Sequence, residues 1–326
     1  MHAQTNHLFR LIFSKLIFLF IILGCTSSHQ HEGKIAKKAD VKKFLLSLSS
    51  EEHFLLDFFF RCMIQEDAIG QVFLGGKPMS FYSSMKPKTI INSSRIQPLD
   101  RMELFFYGMD DRHALFHKGL EVWKKYEHRF CGNNIFFDVF EQDQELHFIQ
   151  VSVFNKQLMV PLFDHYFHQF KNLSPSIKDN ESLFNLLMHD QKFKEKFYSR
   201  EDLLGICLGY GEKNAKLFQK MVDLLTDTKK IDLTLKKLSP ERFRSLENEL
   251  AVLEKSFSGG IKDHVSRRFL FNIGLSFRTN PSDPETLLLQ KKYATLYKQL
   301  VHAYTGAPFL EKTLELIYTA DNIDSN

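Results

Sequence analysis

The sequence predicts a helix-dominated α+β fold in which helical residues outnumber strand residues by at least two to one. Most apolar residues recur at helical spacing, whereas two neighbouring segments, 135–140 and 146–154, alternate apolar and polar residues as antiparallel strands do. Hydrophobic residues make up 44% of the chain and charged residues 25%, which is the usual globular mix and excludes a disordered chain. Because 33 of the 326 residues are Phe, we expect a core rich in aromatic rings.

The N-terminus has the features of a secretory signal peptide. Arg10 and Lys15 precede an uninterrupted apolar run over residues 16–23, and no acidic residue accompanies them. The alternative is a signal anchor that stays in the membrane, but a spanning helix needs about 20 apolar residues. Reaching that length would bury both cations, which is costly. The sequence therefore predicts a signal peptide over residues 1–24.

The segment Ile22-Leu23-Gly24-Cys25 resembles the lipobox of bacterial lipoproteins. The resemblance implies cleavage before Cys25, diacylation of its sulfur and usually a third acyl chain on the new amino terminus. Thr26, not Asp, follows the cysteine, which resembles the pattern that permits export to the outer membrane. We therefore expect a lipidated cysteine and a polar tether over residues 25–34. The expected location is the cell envelope, at the inner or outer membrane, facing the periplasm or the surface.

The mature chain is close to electrically neutral. Arg10 and Lys15 leave with the signal peptide, so 41 of the 43 basic residues remain against 39 acidic residues. This small positive charge gives no reason to expect a nucleic-acid partner. The expected partner is the membrane, through the lipid anchor, and the identity of any protein partner is left open.

Three cysteines remain for the folded part of the chain if Cys25 is acylated. Cys62, Cys131 and Cys207 allow at most one internal disulfide, and the sequence leaves open whether two of them pair. Their spacing fits no zinc site. Cys62 and Cys207 lie in apolar segments and are expected to pack in the core, whereas Cys131, before Gly132, is expected to be exposed.

Residues 35–178 are predicted to form an α+β region with two β-hairpins and packed helices. The helices follow from caps and apolar stripes, and the hairpins follow from glycine turns and alternation. The predicted elements are a helix opened by the capping box Ser49–Glu52, a hairpin pairing 71–74 with 79–82 around Gly75-Gly76, a helix over 113–128, a hairpin pairing 135–140 with 146–154, and a helix over 156–171.

Residues 179–326 are predicted to be mainly helical, after a polar stretch over 172–180 that marks a boundary. Gly209 and Gly211 are interpreted as a turn between two helices. The remaining predicted elements are a helix after Ser199, helices over 214–225 and 240–257, a strand-like segment over 269–277, and helices over 284–304 and 309–318.

Two glycine-rich segments have a partial similarity to nucleotide-binding motifs. Gly209 and Gly211 match the first two glycines of a dinucleotide fingerprint, but Asn214 replaces the third and no alternating βαβ pattern surrounds them. The segment Gly75-Gly76-Lys77-Pro78 is no phosphate-binding loop, because proline replaces the hydroxyl residue and the glycine spacing differs. The sequence therefore predicts no cofactor.

One histidine pair has the spacing of a zinc ligand pair. His113 and His117 are one helical turn apart, as in zinc metalloproteases, but Ala114 occupies the position of the catalytic glutamate. Asp110 or Asp111 would have to complete such a site.

A second pair, His165 and His168, is spaced three residues apart, and the four histidines would form a site if their two helices converge. The alternative is that all four are polar residues beside apolar helix stripes. No metal site is assigned from the sequence, and the two pairs remain candidates.

Three stretches resemble an uncharacterised family of exported or lipoprotein-like proteins from intracellular bacteria: His53–Tyr82, Gly205–Phe218 and Ile273–Leu316. The first two are the more distinctive. No activity, cofactor or catalytic residue is assigned in that family, so the resemblance implies a shared architecture and no mechanism.

These features predict a membrane-anchored envelope lipoprotein with a binding, structural or assembly role. One alternative is a periplasmic metal-assisted hydrolase that uses His113 and His117. Another is a host-directed secreted protein, which an uncleaved N-terminus would favour.

Overall fold

The computed structural model describes residues 39–86, 109–142, 148–233 and 282–322. The signal peptide, Cys25, the tether and the predicted segments 240–257 and 269–277 lie outside these ranges. The chain divides into two compact units, Met1–Ser49 and Ser50–Asn326. The described element of the first unit is one helix, α1 (39–47). All other described elements belong to the second unit.

The second unit is rich in helices. In chain order its elements are α2 (Ser50–Glu66), α3 (Ile69–Phe73), β1 (Met79–Met85), α4 (Met109–Tyr126), β2 (Ile135–Gln142), β3 (Phe148–Asn155), α5 (Lys156–Lys171), α6 (Asn180–His189), α7 (Gln191–Tyr198), α8 (Glu201–Cys207), α9 (Glu212–Leu233), α10 (Pro284–Tyr304) and α11 (Phe309–Asp321). The predicted helix-dominated α+β class is confirmed. Among the described residues, no helix combines the length and hydrophobicity that a membrane span requires.

The three strands form one antiparallel sheet in the order β1-β3-β2, so β3 is central. The register places Asp138 of β2 opposite Ser152 of β3, and Phe81 of β1 opposite the same serine. Strands β2 and β3 are the pair that the alternating pattern predicts, and their antiparallel pairing is confirmed. Because successive side chains of a strand point to opposite faces, this pattern places apolar residues on both sides of the sheet.

One face of the sheet is covered by α2 and α4. The ring of Phe137 in β2 lies 6.5 Å from Phe60 of α2 and 5.0 Å from Trp123 of α4, measured between ring centroids. On the same side, Tyr82 of β1 contacts Phe116 of α4 at 4.6 Å. The expected aromatic core is present in this layer.

The other face is covered by α5 to α8. Phe136 contacts Phe184 of α6 at 5.0 Å, and Phe140 contacts Tyr198 of α7 at 5.1 Å. The sheet therefore lies between two helical layers. One hydrophobic cluster in this second layer contains residues from both sides of the predicted boundary after residue 178, among them Met79, Phe154, Phe163, Phe184, Phe197 and Cys207. The predicted regions thus share a core, and the domain boundaries themselves stay a prediction.

The prediction of a strand over 71–74 is wrong, because these residues belong to α3 and its end. All five residues of α3 are buried, so the apolar run has no amphipathic period that would distinguish a strand from a buried helix. Gly75, at φ +69°, ends the helix: the amides of Gly75 and Gly76 donate to the carbonyls of Val72 and Gln71, as in a Schellman motif. The first predicted hairpin is therefore not formed, and β1 pairs with β3 instead.

Candidate functional site

His113 and His117 lie on α4 against the end of β1, in the first helical layer. Nδ1 of His113 is 2.8 Å from Oγ of Ser84, and Nε2 of His117 is 3.1 Å from the carbonyl oxygen of Met85. Burial lowers the pKa of His117, although its hydrogen bond to Met85 opposes the shift. Of the two aspartates expected to complete a metal site, Asp111 is exposed.

His165 and His168 lie on α5, in the second helical layer, and both are exposed. The two histidine pairs are therefore on opposite sides of the sheet and do not converge. The side chain of Asp110 lies outside the described part of the structure. Within that part, no three His, Cys, Asp or Glu side chains are grouped so that they could hold a metal ion.

Cys62, Cys131 and Cys207 are free thiols, so no two of them form a disulfide. Cys62 and Cys207 are buried, as predicted, and burial raises the pKa of both thiols, that of Cys62 to about 12. Cys131 is partly exposed. Its pKa is raised, mainly by desolvation and to a smaller extent by the nearby Asp321 carboxylate. None of these three thiols is activated as a nucleophile. Cys25, the predicted lipidation site, lies outside the described residues.

Lys77 is a buried lysine in the loop between α3 and β1, with 4% of its surface exposed. Its Nζ lies 5.3 Å from the ring centroid of Tyr210 and 5.3 Å from that of Tyr293, within the range of cation–π attraction. Within the described ranges its ammonium group makes no hydrogen bond and no ion pair. Lys77, Tyr210 and Tyr293 together are called the Lys77 cluster, and they form the candidate functional site.

Three distant parts of the chain build the Lys77 cluster. Lys77 follows α3, Tyr210 lies in the turn between α8 and α9, and Tyr293 belongs to α10. Tyr293 donates a hydrogen bond to the carbonyl oxygen of Gly209. Gly209 has φ +75°, and a Cβ there would stand 2.3 Å from the Tyr293 hydroxyl, so this turn requires glycine for both conformation and space. The predicted turn at Gly209 and Gly211 is confirmed.

Glu285 at the start of α10 attaches that helix to the same turn. Its carboxylate accepts hydrogen bonds from the backbone amides of Glu212 and Lys213, at 3.0 Å each, in the first turn of α9. Amides in a first helical turn have no partner within the helix, so they favour a carboxylate. Nearby, Asn214 donates to Thr286 Oγ1 at 3.0 Å. The asparagine that interrupts the dinucleotide fingerprint therefore joins two helices.

The surroundings of Lys77 shift its protonation toward neutral pH. Burial lowers the pKa of Lys77 to about 8; the carboxylate of Asp67 opposes this shift and the cation of Lys292 adds to it. Burial also raises the pKa of Asp67 to about 6, with Lys77 opposing. A lysine that has a depressed pKa, and that makes no ion pair with any described residue, has the properties of a functional amine.

A second buried lysine has the opposite arrangement. Nζ of Lys194 on α7 is 2.6 Å from Oδ1 of Asp138 on β2, and both side chains are less than one-tenth exposed. Burial raises the pKa of Asp138, although the hydrogen bond from Lys194 opposes the shift. Beside this pair, Oγ of Ser152 is 2.8 Å from the hydroxyl of Tyr198. Lys194 is thus neutralised by a partner, whereas Lys77 has no ion-pair partner in the part of the chain that the structure describes.

The burial of Lys77 was not predicted from the sequence, where the lysine was considered only in the comparison of residues 75–78 with a phosphate-binding loop. One local signal was available: the lysine stands alone between the apolar residues of α3 and those of β1, and no acidic residue lies within the intervening turn. The two tyrosines carry no such signal, because they are far from Lys77 in the sequence.

Comparisons of the chain with models of protein families, with curated proteins and with solved structures found no match.

Proposed function

We propose that this protein is a lipid-anchored component of the bacterial cell envelope with a binding, structural or assembly role. The observation that carries the proposal is the N-terminal sequence, in which Arg10 and Lys15 precede a short apolar run that ends in Gly24-Cys25. Two acyl chains on Cys25 hold a protein stably at a bilayer, since each buried methylene contributes about 0.8 kcal/mol. The resemblance to lipoprotein-like exported proteins agrees with this role and adds no mechanism.

The geometry supports binding over metal-assisted hydrolysis. His113 and His117 bond to β1, whereas His165 and His168 face solvent on the other side of the sheet. The hydrolase alternative therefore has no assembled ligand set among the described residues. The described structure offers instead a buried amine, Lys77, framed by two aromatic rings.

The experiment is a Cys25→Ser substitution in the full-length chain, expressed in a bacterium that processes lipoproteins. We expect the variant to lose palmitate labelling, to stay as an unprocessed precursor and to leave no lipid-modified N-terminal peptide in mass spectrometry. A Cys131→Ser variant is the matched control, because this partly exposed thiol belongs to the folded part of the chain and its loss should change none of these readouts.

Normal processing and palmitate uptake by the Cys25→Ser variant would overturn the anchor assignment. An intact N-terminus on the unsubstituted protein, recovered from the culture medium, would instead support the host-directed secreted alternative.

A further inference from the structure

We propose that Lys77 is an imine-forming amine that binds small aldehydes or ketones covalently and reversibly. The proposal concerns the folded second unit and does not depend on lipid attachment at Cys25. It rests on the position and burial of the Lys77 side chain, on the two rings beside it, and on the lack of a hydrogen bond or ion pair to Nζ among the described residues.

The Lys77 amine has no hydrogen-bond or ion-pair partner among the described residues. Its Nζ makes no hydrogen bond and no ion pair there, although 96% of the residue surface is removed from solvent, since 4% is exposed. Removing most of a lysine side chain from water disfavours its charged form unless an acidic partner offsets the loss of hydration. Lys194 shows the ordinary solution in the same chain, an ion pair with Asp138 at 2.6 Å. An amine without such a partner keeps its lone pair available whenever it is neutral.

The aromatic rings beside Lys77 suit the imine product as well as the free amine. Tyr210 and Tyr293 each place a ring centroid 5.3 Å from Nζ. A protonated imine is a cation at the same nitrogen, so the ring faces attract it as they attract an ammonium ion. The hydrogen bond from Tyr293 to Gly209 holds one of these rings in place. Both the free amine and its adduct are therefore accommodated electrostatically.

The surroundings of Lys77 also activate its amine as a nucleophile. Lysine nucleophiles are activated when they are desolvated or stand near another cation. Lys77 has both features, because it is buried and Lys292 of α10 acts on it electrostatically, with Asp67 as the opposing charge. A pKa of about 8 leaves about one amine in ten neutral at pH 7, against about one in three thousand at the ordinary value of 10.5. The reactive fraction is thus larger by a factor of about 300.

The chemical step is a condensation that needs no oxidant or reductant. The Nζ lone pair attacks the carbonyl carbon, a C–N bond forms, and the carbonyl oxygen takes up a proton to give a carbinolamine. Loss of water then breaks the C–O bond and gives the C=N bond. The two hydrogens that nitrogen loses leave with the former carbonyl oxygen as one water molecule, and hydrolysis returns the free lysine.

The test is reductive trapping on the complete mature chain, purified in detergent. Acetaldehyde and cyanoborohydride are added between pH 6 and pH 10, and ethylation of each lysine is followed by peptide mass spectrometry. At pH 7 we expect Lys77 to be ethylated at least about tenfold faster than Lys291, an exposed lysine on α10, the helix that also carries Tyr293. This preference should shrink toward pH 10, where ordinary lysines also become neutral.

Two controls separate reactivity from burial. Lys194, which is equally buried but ion-paired, should stay unmodified in the folded chain. A Lys292→Met substitution removes a neighbouring cation, so it should slow ethylation of Lys77 at pH 7 and leave the rate at pH 10 unchanged. If Lys77 reacts no faster than Lys291 at pH 7, or reacts only after unfolding in urea, the proposal is overturned. Neither result would affect the test of the Cys25 anchor.

Discussion

Lys77 carries a charge that the folded chain disfavours, and this has a consequence for stability. Its pKa is lowered from 10.5 to about 8, mainly by burial. Above pH 10.5 the amine is neutral in both states and folding has no charge to bury. As the pH falls from 10.5 to 8, the unfolded chain takes up a proton that the folded chain does not, so stability is lost across this window.

The predicted result is that Lys77→Met stabilises the protein at pH 7, by about 1–3 kcal/mol, because it removes a charge that folding desolvates and keeps an unbranched side chain. The gain should shrink as the pH rises from 8 to 10.5. Urea unfolding at pH 7 and pH 10 measures both values, and Lys291→Met on the surface is the control. A Lys77→Met variant that is less stable than the parent at pH 7 would mean that the lysine has a structural role.

Lys194 should respond in the opposite sense, because it neutralises a buried carboxylate. Removing one partner of a buried ion pair costs about 3–5 kcal/mol, so Lys194→Met should destabilise the protein by that amount at pH 7. The loss should shrink as the pH falls, since Asp138 has a raised pKa and its protonation removes the need for a cation. The double variant Asp138→Leu with Lys194→Met should recover most of the stability. Additive effects in this double-mutant cycle would contradict the coupling.

At the scale of elements, the end of α11 is joined to the start of β2 by one carboxylate. Oδ1 of Asp321 accepts hydrogen bonds from four successive backbone amides at 2.8–3.1 Å, those of Gly132, Asn133, Asn134 and Ile135. Asp321 is buried, so removing it takes this acceptor from all four amides, of which only that of Gly132 has a second acceptor shown, the carbonyl oxygen of Ile135. We expect Asp321→Ala to lower the free energy of unfolding by about 2–4 kcal/mol.

Hydrogen exchange gives the more specific readout for Asp321→Ala. Exchange at amides 132–135 should accelerate more than exchange at the centre of β3. The matched control is Asp179→Ala, which removes an exposed aspartate that caps α6 and should cost only about 1 kcal/mol. Unchanged protection at amides 132–135 would show that the carboxylate contributes little to the junction.

Elements in which apolar residues recur with a clear period were predictable from the sequence, and elements without such a period were not. The alternation in 135–140 and 146–154 predicted β2 and β3, because each strand contributes side chains to two different helical layers. The segment of α3 is buried on every side, so its apolar run fits a strand equally well. Its glycine pair is a helix end in the structure, and a hairpin turn has the same local composition.

At the scale of the whole molecule, the candidate site depends on contacts between distant segments. Lys77, Tyr210 and Tyr293 come from three separate stretches of the chain. Local patterns predicted the turn at Gly209 but carry no information on which ring meets which amine. For the histidines the local pattern was misleading. The spacing within each pair suits a metal ion, but the fold places the two pairs on opposite sides of the sheet. Proximity in space therefore had to come from the structure.

The shared core across residue 178 leads to a prediction about cooperativity. Cys62 lies in the first helical layer and Cys207 in the second, and both are fully buried with raised pKa values. Because the Cys207 cluster contains residues of β1 and β3, the second layer cannot come apart without uncovering the sheet. The two thiols should therefore become reactive through the same global unfolding event.

Iodoacetamide labelling of a chain that carries Cys25→Ser and Cys131→Ser tests this expectation. Under native conditions Cys62 and Cys207 should be alkylated at rates equal within about twofold, and both at least about 10³-fold slower than in urea, because native domains are stable by about 5 kcal/mol or more. Adding mild denaturant should raise both rates in parallel. If Cys207 reacts much faster than Cys62, the regions before and after residue 178 unfold separately. The boundary predicted from the polar stretch 172–180 would then separate two regions that differ in their free energy of unfolding. Equal rates would instead mean that the sheet and both helical layers unfold as a single cooperative unit.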